Sequence, residues 1–304
     1  MLRSTLLKLS NSKGFANWVT TNQSTRRMSQ RFVAGETLEQ AFAAARACNN
    51  AGMLVSLDYL GENVSSTAEA QKVRDTYFEI FDRIAEEKLT ANVSCKLTQL
   101  GLDLSGDFCE GLLLSVAERA GSRDNFLRVD MEGSLYTQRT VELVKRVRSQ
   151  APAVGTVIQS YLYRSEKDVQ DLLAYGCRIR LCKGAYKEPP EVAYPAKADV
   201  DANYVRLMRM LLGSGFYHGI ATHDPRMIAE TIRCAAEKQI SKDDFEFQML
   251  YGVRTDLQRM LVRDGFRLRI YIPFGNDWFP YFMRRLAERP ANLAFFLKGA
   301  FSKP

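Results

Sequence analysis

Arg178-Ile179-Arg180-Leu181-Cys182-Lys183-Gly184-Ala185-Tyr186 is a short apolar run that turns polar at its carboxyl end and breaks at a glycine. It is too short for a helix and is bounded by polar residues and a glycine, so it predicts a buried strand ending in functional groups. Seven further runs repeat the pattern: Met53–Leu57, Asn92–Cys95, Phe126–Met131, Val154–Ile158, Gly219–Thr222, Phe245–Met249 and Leu268–Ile272. Helical signals fill the intervals. Thr37 with Gln40, and Ser66 with Glu69, have capping-box spacing, and Val73, Tyr77, Ile80, Phe81 and Ile84 follow a 3.6-residue stripe. Ser165–Leu173 and Val205–Leu212 are also helix-like. Eight strands alternating with helices predict an α/β protein with a closed parallel (β/α)8 barrel of the TIM type. A doubly wound sheet would need G-x-G-x-x-G after its first strand. The nearest match, Gly213-x-Gly215 with Gly219, has the wrong spacing and precedes a strand. No P-loop ending in G-K-S/T occurs.

Composition narrows the class. The chain has 304 residues, 46% hydrophobic and 25% charged, with 19 Gly and 9 Pro, which excludes a disordered or fibrous protein. No stretch approaches the roughly 20 uninterrupted apolar residues of a membrane span. Cys48, Cys95, Cys109, Cys177, Cys182 and Cys234 form no CxxC pair and read as reduced thiols of a cytosolic protein. His218 and His223 are too few for a His-rich metal centre, so no metal is expected. The net charge of +7 is concentrated: Arg3, Lys8, Lys13, Arg26, Arg27 and Arg31 supply +6, leaving residues 36–304 at +1. The body is therefore not a nucleic-acid surface. Residues 1–35 are read as a basic, helical arm integral to the protein, in preference to a transit peptide, and residues 36–304 as the barrel domain.

Barrels of this kind place their reacting groups at the carboxyl ends of the strands. Those ends here carry Lys96, Asp130, Met131, Glu132, Gln159, Arg180, Lys183, Thr222, His223, Gln248 and Tyr271. Such a concentration points to one polar, partly buried site. Each residue also has a plainer reading. Lys96 alone is more often a strand-end charge reaching solvent. Asp130 needs a cationic partner if buried, and Lys96 is the expected one. Gln159 and Gln248 can satisfy backbone groups, and His223 can be a hydrogen-bonded structural residue. In Lys183-Gly184-Ala185, a lysine before two small residues lets backbone amides approach a phosphate. Asp277, Trp278 and Pro280 open a last helix on which Tyr281, Arg284, Arg285 and Glu288 share one face. Paired arginines beside a tyrosine suit a carboxylate lying against an apolar ring.

These segments resemble the proline dehydrogenase family. The resemblance rests on Ser94-Cys95-Lys96, Arg180–Tyr186, Ala221-Thr222-His223, Phe245-Glu246-Phe247-Gln248 and Tyr281-x-x-Arg284-Arg285-x-x-Glu288, in order from about Arg31 to Leu297. In length the chain is similar to the small monofunctional bacterial enzymes. The resemblance implies a distorted barrel with additional N-terminal helices, the last helix over the mouth, and non-covalently bound FAD. It implies oxidation of L-proline to Δ1-pyrroline-5-carboxylate by hydride transfer from C5. A membrane quinone would reoxidise the flavin, and a pyrroline-5-carboxylate dehydrogenase would take the product. The protein would then be cytoplasmic and peripheral on the inner face of the membrane. By motif position, Lys96, Arg284 and Arg285 would hold the carboxylate, and Leu181, Tyr271 and Tyr281 would pack on the ring. Arg180 would stabilise the reduced flavin, and Asp130 would hold Lys96. Met131, Gln159, Lys183, Gly184, Ala185, Thr222, His223, Gln248 and Glu288 would contact FAD. Cys95 and Cys182 stand where aliphatic residues are expected and raise thiol oxidation near the flavin. Lys187 stands where an aromatic residue is expected at the adenine end. Three competing readings are a Schiff-base aldolase using Lys96 or Lys183, a folate-reducing flavin barrel, and a non-catalytic protein at a membrane surface.

Overall fold

The computed structural model describes residues 19–22, 25 and 28–288, with side chains through Leu286. Eight parallel strands close a barrel in chain order: β1 (Leu54–Tyr59), β2 (Ala91–Cys95), β3 (Leu127–Val129), β4 (Val154–Gln159), β5 (Ile179–Cys182), β6 (His218–Ala221), β7 (Phe245–Leu250) and β8 (Leu268–Phe274). Closure is made by β1 against β8, with Val55 opposite Ile270 and Asp58 opposite Pro273. Every expected strand is present, and a closed parallel sheet leaves no exposed edge.

The helices between strands are α1 (Leu38–Asn50), α2 (Thr67–Glu86), α3 (Gly106–Ser122), α4 (Ser134–Gln150), α5 (Ser165–Ala174), α6 (Lys197–Leu212), α7 (Pro225–Glu237) and α8 (Thr255–Arg263), followed by α9 (Trp278–Glu288). Thr37 forms the full capping box with Gln40. Ser66 forms half of one: its hydroxyl accepts from the Glu69 N–H, while the Glu69 carboxylate turns to the Ser65 N–H at 2.7 Å. The α2 stripe buries Tyr77, Ile80, Phe81 and Ile84 against the sheet, within one core that runs around the barrel between strands and helices. Burying such side chains stabilises by about 1.5–3 kcal/mol each.

A second, smaller cluster fixes the last helix. Trp278, Phe279, Tyr281, Phe282, Met283 and Leu286 pack with Leu60 and with Val19, Met28, Phe32 and Val33 from the N-terminal segment. That segment is tied to β8 by the Ala34 N–H donating to Pro273 O at 2.9 Å. It is tied to α9 by Trp278 Nε1 donating to Glu36 Oε1 at 3.0 Å. The apolar face of α9 is thus committed, which turns Arg284 and Arg285 toward the barrel cavity.

Candidate active site

A cavity of about 600 Å³ opens at the carboxyl ends of the strands, beneath α9. Its walls hold Lys96, Asp130, Met131, Gln159, Arg180, Lys183, Gly184, Ala185, Thr222, His223, Gln248, Tyr271, Tyr281, Arg284 and Arg285 together. The side chain of Glu288, expected at the cofactor, lies outside the described residues. Leu181 is placed elsewhere. Successive strand residues face opposite sides of a sheet, so with Arg180 and Cys182 turned into the barrel, Leu181 points out into the fully buried core. It is not among the residues that line the cavity. Cys95 is turned outward in the same way, between Ser94 and Lys96, and Cys182 alone of the two faces the cavity. Burial pushes the Cys182 thiol up to about 12, so it stays protonated and is a poor target for oxidation.

Arg180 is the hub. Its Nη1 donates to Asp130 Oδ1 at 2.7 Å, its Nε to Gln248 Oε1, and its Nη2 to Ser94 Oγ at 3.1 Å and Ser56 Oγ at 3.3 Å. The guanidinium also lies 5.1 Å from the centre of the Tyr271 ring. Tyr271 donates its hydroxyl to the other Asp130 oxygen, Oδ2, at 2.7 Å. Burial, then Asp130, raises the Tyr271 hydroxyl well above its ordinary value, so it remains a donor. Behind this layer, Gln248 Nε2 donates to Glu246 Oε1, which also accepts from Arg269 Nε at 2.7 Å. The arginine orientation is therefore set by a buried network that reaches the floor of the barrel.

Lys96 does not pair with Asp130, as the sequence led us to expect. Its Nζ donates to Asp58 Oδ1 at 3.3 Å, on the neighbouring strand, while Asp130 is occupied by Arg180 and Tyr271. Asp58 and Ser94 stand in register, so Lys96, two residues beyond Ser94, reaches back over the β1 end. Burial alone would lower the Lys96 ammonium; Asp58 and Asp130 more than offset it and hold it above the ordinary lysine value. Asp58 is itself raised, by burial first and by Asp130, against the pull of Lys96.

Above Lys96, Arg284 Nη2 donates to Glu62 Oε1 at 3.0 Å, and the Arg285 guanidinium lies 5.1 Å from the centre of the Tyr281 ring. The other end of the cavity is built around Lys183, whose Nζ donates to Asp201 Oδ1 at 2.6 Å and Asp224 Oδ2 at 2.9 Å. Asp224 also caps α7 by accepting from the Arg226 N–H at 3.0 Å. His223 Nε2 accepts from the Leu250 N–H at 3.0 Å, which leaves its proton on Nδ1. Gly184 has φ +117°, and a Cβ there would lie 2.5 Å from the Tyr161 ring, so only glycine lets the Lys183–Ala185 backbone line the wall.

Sequence reasoning missed Asp58, Glu62, Tyr186 and Arg254, which also face the cavity or pair with residues that do. Asp58 had a signal: β1 runs past Leu57, and its next residue occupies the same strand-end position as the others. The groups of the described residues include no cluster able to hold a metal ion. The arrangement offers cations, phenols and amides but no activated nucleophile, which suits binding and orienting an anionic substrate beside a redox group.

The profile of the family described as proline dehydrogenase matches residues 41–298. The chain belongs to the proline dehydrogenase family. It is 41% identical to proline dehydrogenase 1 of Bacillus subtilis over 303 residues, covering 100% of both chains. It is 42% identical to proline dehydrogenase of Deinococcus radiodurans over 280 residues, covering 90% of this chain and 89% of that one. Among solved structures, proline utilization A from Bdellovibrio bacteriovorus, inactivated by N-propargylglycine, aligns with a TM-score of 0.82 at 28% identity. That alignment covers 91% of this chain and 34% of the other, so this chain spans about a third of that longer protein. The barrel and α9 all fall within the family match, apart from the first residues of α1.

Proposed function

We propose that the chain oxidises L-proline to Δ1-pyrroline-5-carboxylate, with FAD as the non-covalently bound hydride acceptor. The observation that carries this reading is the charge arrangement under α9: Lys96, Arg284 and Arg285 converge on one end of the cavity beside the rings of Tyr271 and Tyr281. Guanidinium forks hold a carboxylate with fixed geometry, and the rings cover a small apolar ring. In this reading those three cations bind the substrate carboxylate, displacing or sharing Glu62 at Arg284, while Tyr271 and Tyr281 orient the pyrrolidine.

The residues present fit a dinucleotide flavin. The cavity wall carries both the Lys96, Arg284 and Arg285 cations and the Lys183-Gly184-Ala185 segment, where a side chain at Gly184 would collide with the Tyr161 ring. Lys183, Lys197 and Arg226 outnumber Asp201 and Asp224, so this end keeps a positive charge for phosphate. FAD, when bound, would supply the two-electron acceptor. Met131, Gln159, Thr222, His223, Gln248 and the Lys183–Ala185 backbone would hold it, and Arg180, fixed by Asp130 and Gln248, would stabilise negative charge developing beside it. We assign reoxidation to a quinone at a membrane surface and product removal to a pyrroline-5-carboxylate dehydrogenase. The basic residues 1–35 support peripheral contact with anionic lipid. No helix among the described residues is long and apolar enough to cross a membrane.

One observation weighs against the Schiff-base aldolase. A nucleophilic lysine needs a lowered pKa, whereas carboxylates hold both Lys96 and Lys183 above the ordinary value, against burial. The deciding experiment is the visible spectrum of the purified protein before and after anaerobic L-proline. Flavin bands that bleach on addition support the reading; flavin that does not bleach removes proline as the donor, and no flavin after reconstitution with FAD removes the whole assignment.

A further inference from the structure

Oxidising an amine to an imine requires the nitrogen lone pair, yet an amino acid arrives with its nitrogen protonated. The secondary ammonium has a pKa near that of a lysine, about 10, so the free amine is rare at neutral pH. The site must therefore take a proton from the substrate nitrogen or wait for the scarce anion.

Among the described residues, Asp58 is the one carboxylate on the cavity wall with an oxygen outside any well-formed hydrogen bond. It lies on β1, is 1% exposed, and gives Oδ1 to Lys96 at 3.3 Å. Its Oδ2 is buried and accepts no well-formed hydrogen bond among the described residues: the Tyr271 hydroxyl is near enough to favour the charged carboxylate, but it donates to Asp130 Oδ2 at 2.7 Å. Asp130 contrasts with it: both of its oxygens are taken, Oδ1 by Arg180 and Oδ2 by Tyr271. The Glu62 carboxylate pairs with Arg284, and Asp224 caps a helix at the far end. A buried carboxylate oxygen left without a donor is costly, and on a residue that lines a ligand cavity it is explained if the ligand supplies the donor.

We propose that Asp58 Oδ2 accepts the proton of the substrate's secondary ammonium. The N–H bond breaks and an O–H bond forms on Asp58; the carboxylate becomes a carboxylic acid, the ammonium a neutral amine with its lone pair free, and no oxidant takes part. The inference rests on the substrate assignment made above.

The surroundings favour the transfer. The groups facing Asp58 are Lys96 just after β2, Asp130 just after β3, Tyr271 on β8 and, beyond Lys96, Glu62 in the loop after β1. Arg180 on β5 is neutralised by Asp130, and Cys95 and Tyr77, buried behind, are held protonated. Burial and Asp130 raise the Asp58 carboxyl, which makes it a better proton acceptor than an exposed aspartate. A substrate carboxylate drawn to Lys96 weakens the hold of that ammonium on Asp58 and raises its proton affinity further. Binding of the acid group and deprotonation of the amine are thereby coupled through Lys96.

The test is the pH dependence of kcat/KM for the FAD-loaded enzyme. With wild type, the rise on the acid side should fall at the same pH for L-proline and for thiazolidine-4-carboxylate, a ring analogue with a far more acidic ammonium, because an enzyme group sets it. With Asp58→Asn, kcat/KM for proline should climb about tenfold per pH unit from pH 7 to 9, following the free amine, and approach wild type near pH 10. A wild-type rise that moves with the ammonium pKa of the substrate overturns the proposal, whether or not the variant folds. So does a variant whose loss is uniform across pH, which would leave Asp58 merely positioning Lys96. Wild-type enzyme inert toward proline at every pH would instead overturn the substrate assignment.

Discussion

Gly219 leaves the space that Gln248 fills: a Cβ at Gly219 would lie 2.4 Å from Gln248 Nε2. Gly219 stands in register with Arg180 on one side and Glu246 on the other. Its missing side chain is the slot through which Gln248 joins them, accepting from Arg180 Nε and donating to Glu246 Oε1. Gly219→Ala should push the amide out and leave Arg180 and Glu246 each short of a partner. Losing a hydrogen bond to a charged group costs about 1.5–3 kcal/mol, so kcat/KM should fall roughly ten- to a hundredfold. Steady-state kinetics beside a thermal melt check this; wild-type kinetics in the variant would show that Gln248 does not set the arginine.

Most of the barrel was legible because parallel strands buried on both faces advertise themselves as short apolar runs. The errors lie at strand ends, where one residue changes the reading. β1 continues through Asp58 and Tyr59 rather than stopping at Leu57, and that boundary hid the partner of Lys96. β3 stops at Val129 rather than Met131, which frees Asp130 to grip two side chains at once. Leu181 lies in the core and outside the cavity lining, as the two-residue alternation from Arg180 already indicates. Residue types gave the site its charges, whereas the pairing among Asp58, Lys96, Asp130 and Arg180 depends on register across several strands and is not a property of any one segment. The Arg284–Glu62 pair is of the same kind, joining residues 222 positions apart.

Arg284→Met should raise the apparent KM for proline while leaving flavin content intact. The guanidinium is one of the two cations on α9, and its ion pair with Glu62 shows that it already holds a carboxylate at 3.0 Å. Removing a charge-assisted contact of about 1.5–3 kcal/mol corresponds to roughly a ten- to hundredfold rise. The same variant also leaves Glu62 without its cation, so Glu62→Gln with Arg284→Met should recover part of the loss. An unchanged KM in Arg284→Met would refute the carboxylate role.

Gly184→Ala and Gly215→Ala form a matched pair. Both glycines have positive φ, +117° and +78°, but a Cβ at Gly184 meets the Tyr161 ring at 2.5 Å while one at Gly215 meets nothing within 4 Å. Backbone strain costs about 1–3 kcal/mol at either site. Only Gly184→Ala should also weaken FAD retention, measured as flavin-to-protein ratio after dialysis, because only there must the Lys183–Ala185 wall move. Equal retention in the two variants would separate that backbone from the cofactor.

His218 makes stability depend on pH below neutrality. Its Nδ1 accepts from the Ile179 N–H at 3.0 Å, and its Nε2 faces Ser214 Oγ at 2.9 Å, so the ring is neutral with its proton on Nε2. Burial, reinforced by Arg128, lowers its pKa from 6.5 to about 3. Protonating Nδ1 would break the bond to Ile179 and place a charge in the core. A depressed histidine leaves stability untouched above the unfolded value. As pH falls from about 6.5 toward 3 the unfolded chain takes up a proton that the folded chain refuses, and stability is lost by at most about 1.4 kcal/mol per unit. His218→Gln, whose amide oxygen can still accept from Ile179, removes that proton uptake. Urea unfolding at pH 7 and pH 5 should therefore show a smaller drop in the variant than in wild type. The interval lies above most carboxylate titrations, so an identical drop in both proteins would mean that His218 titrates normally in the folded state.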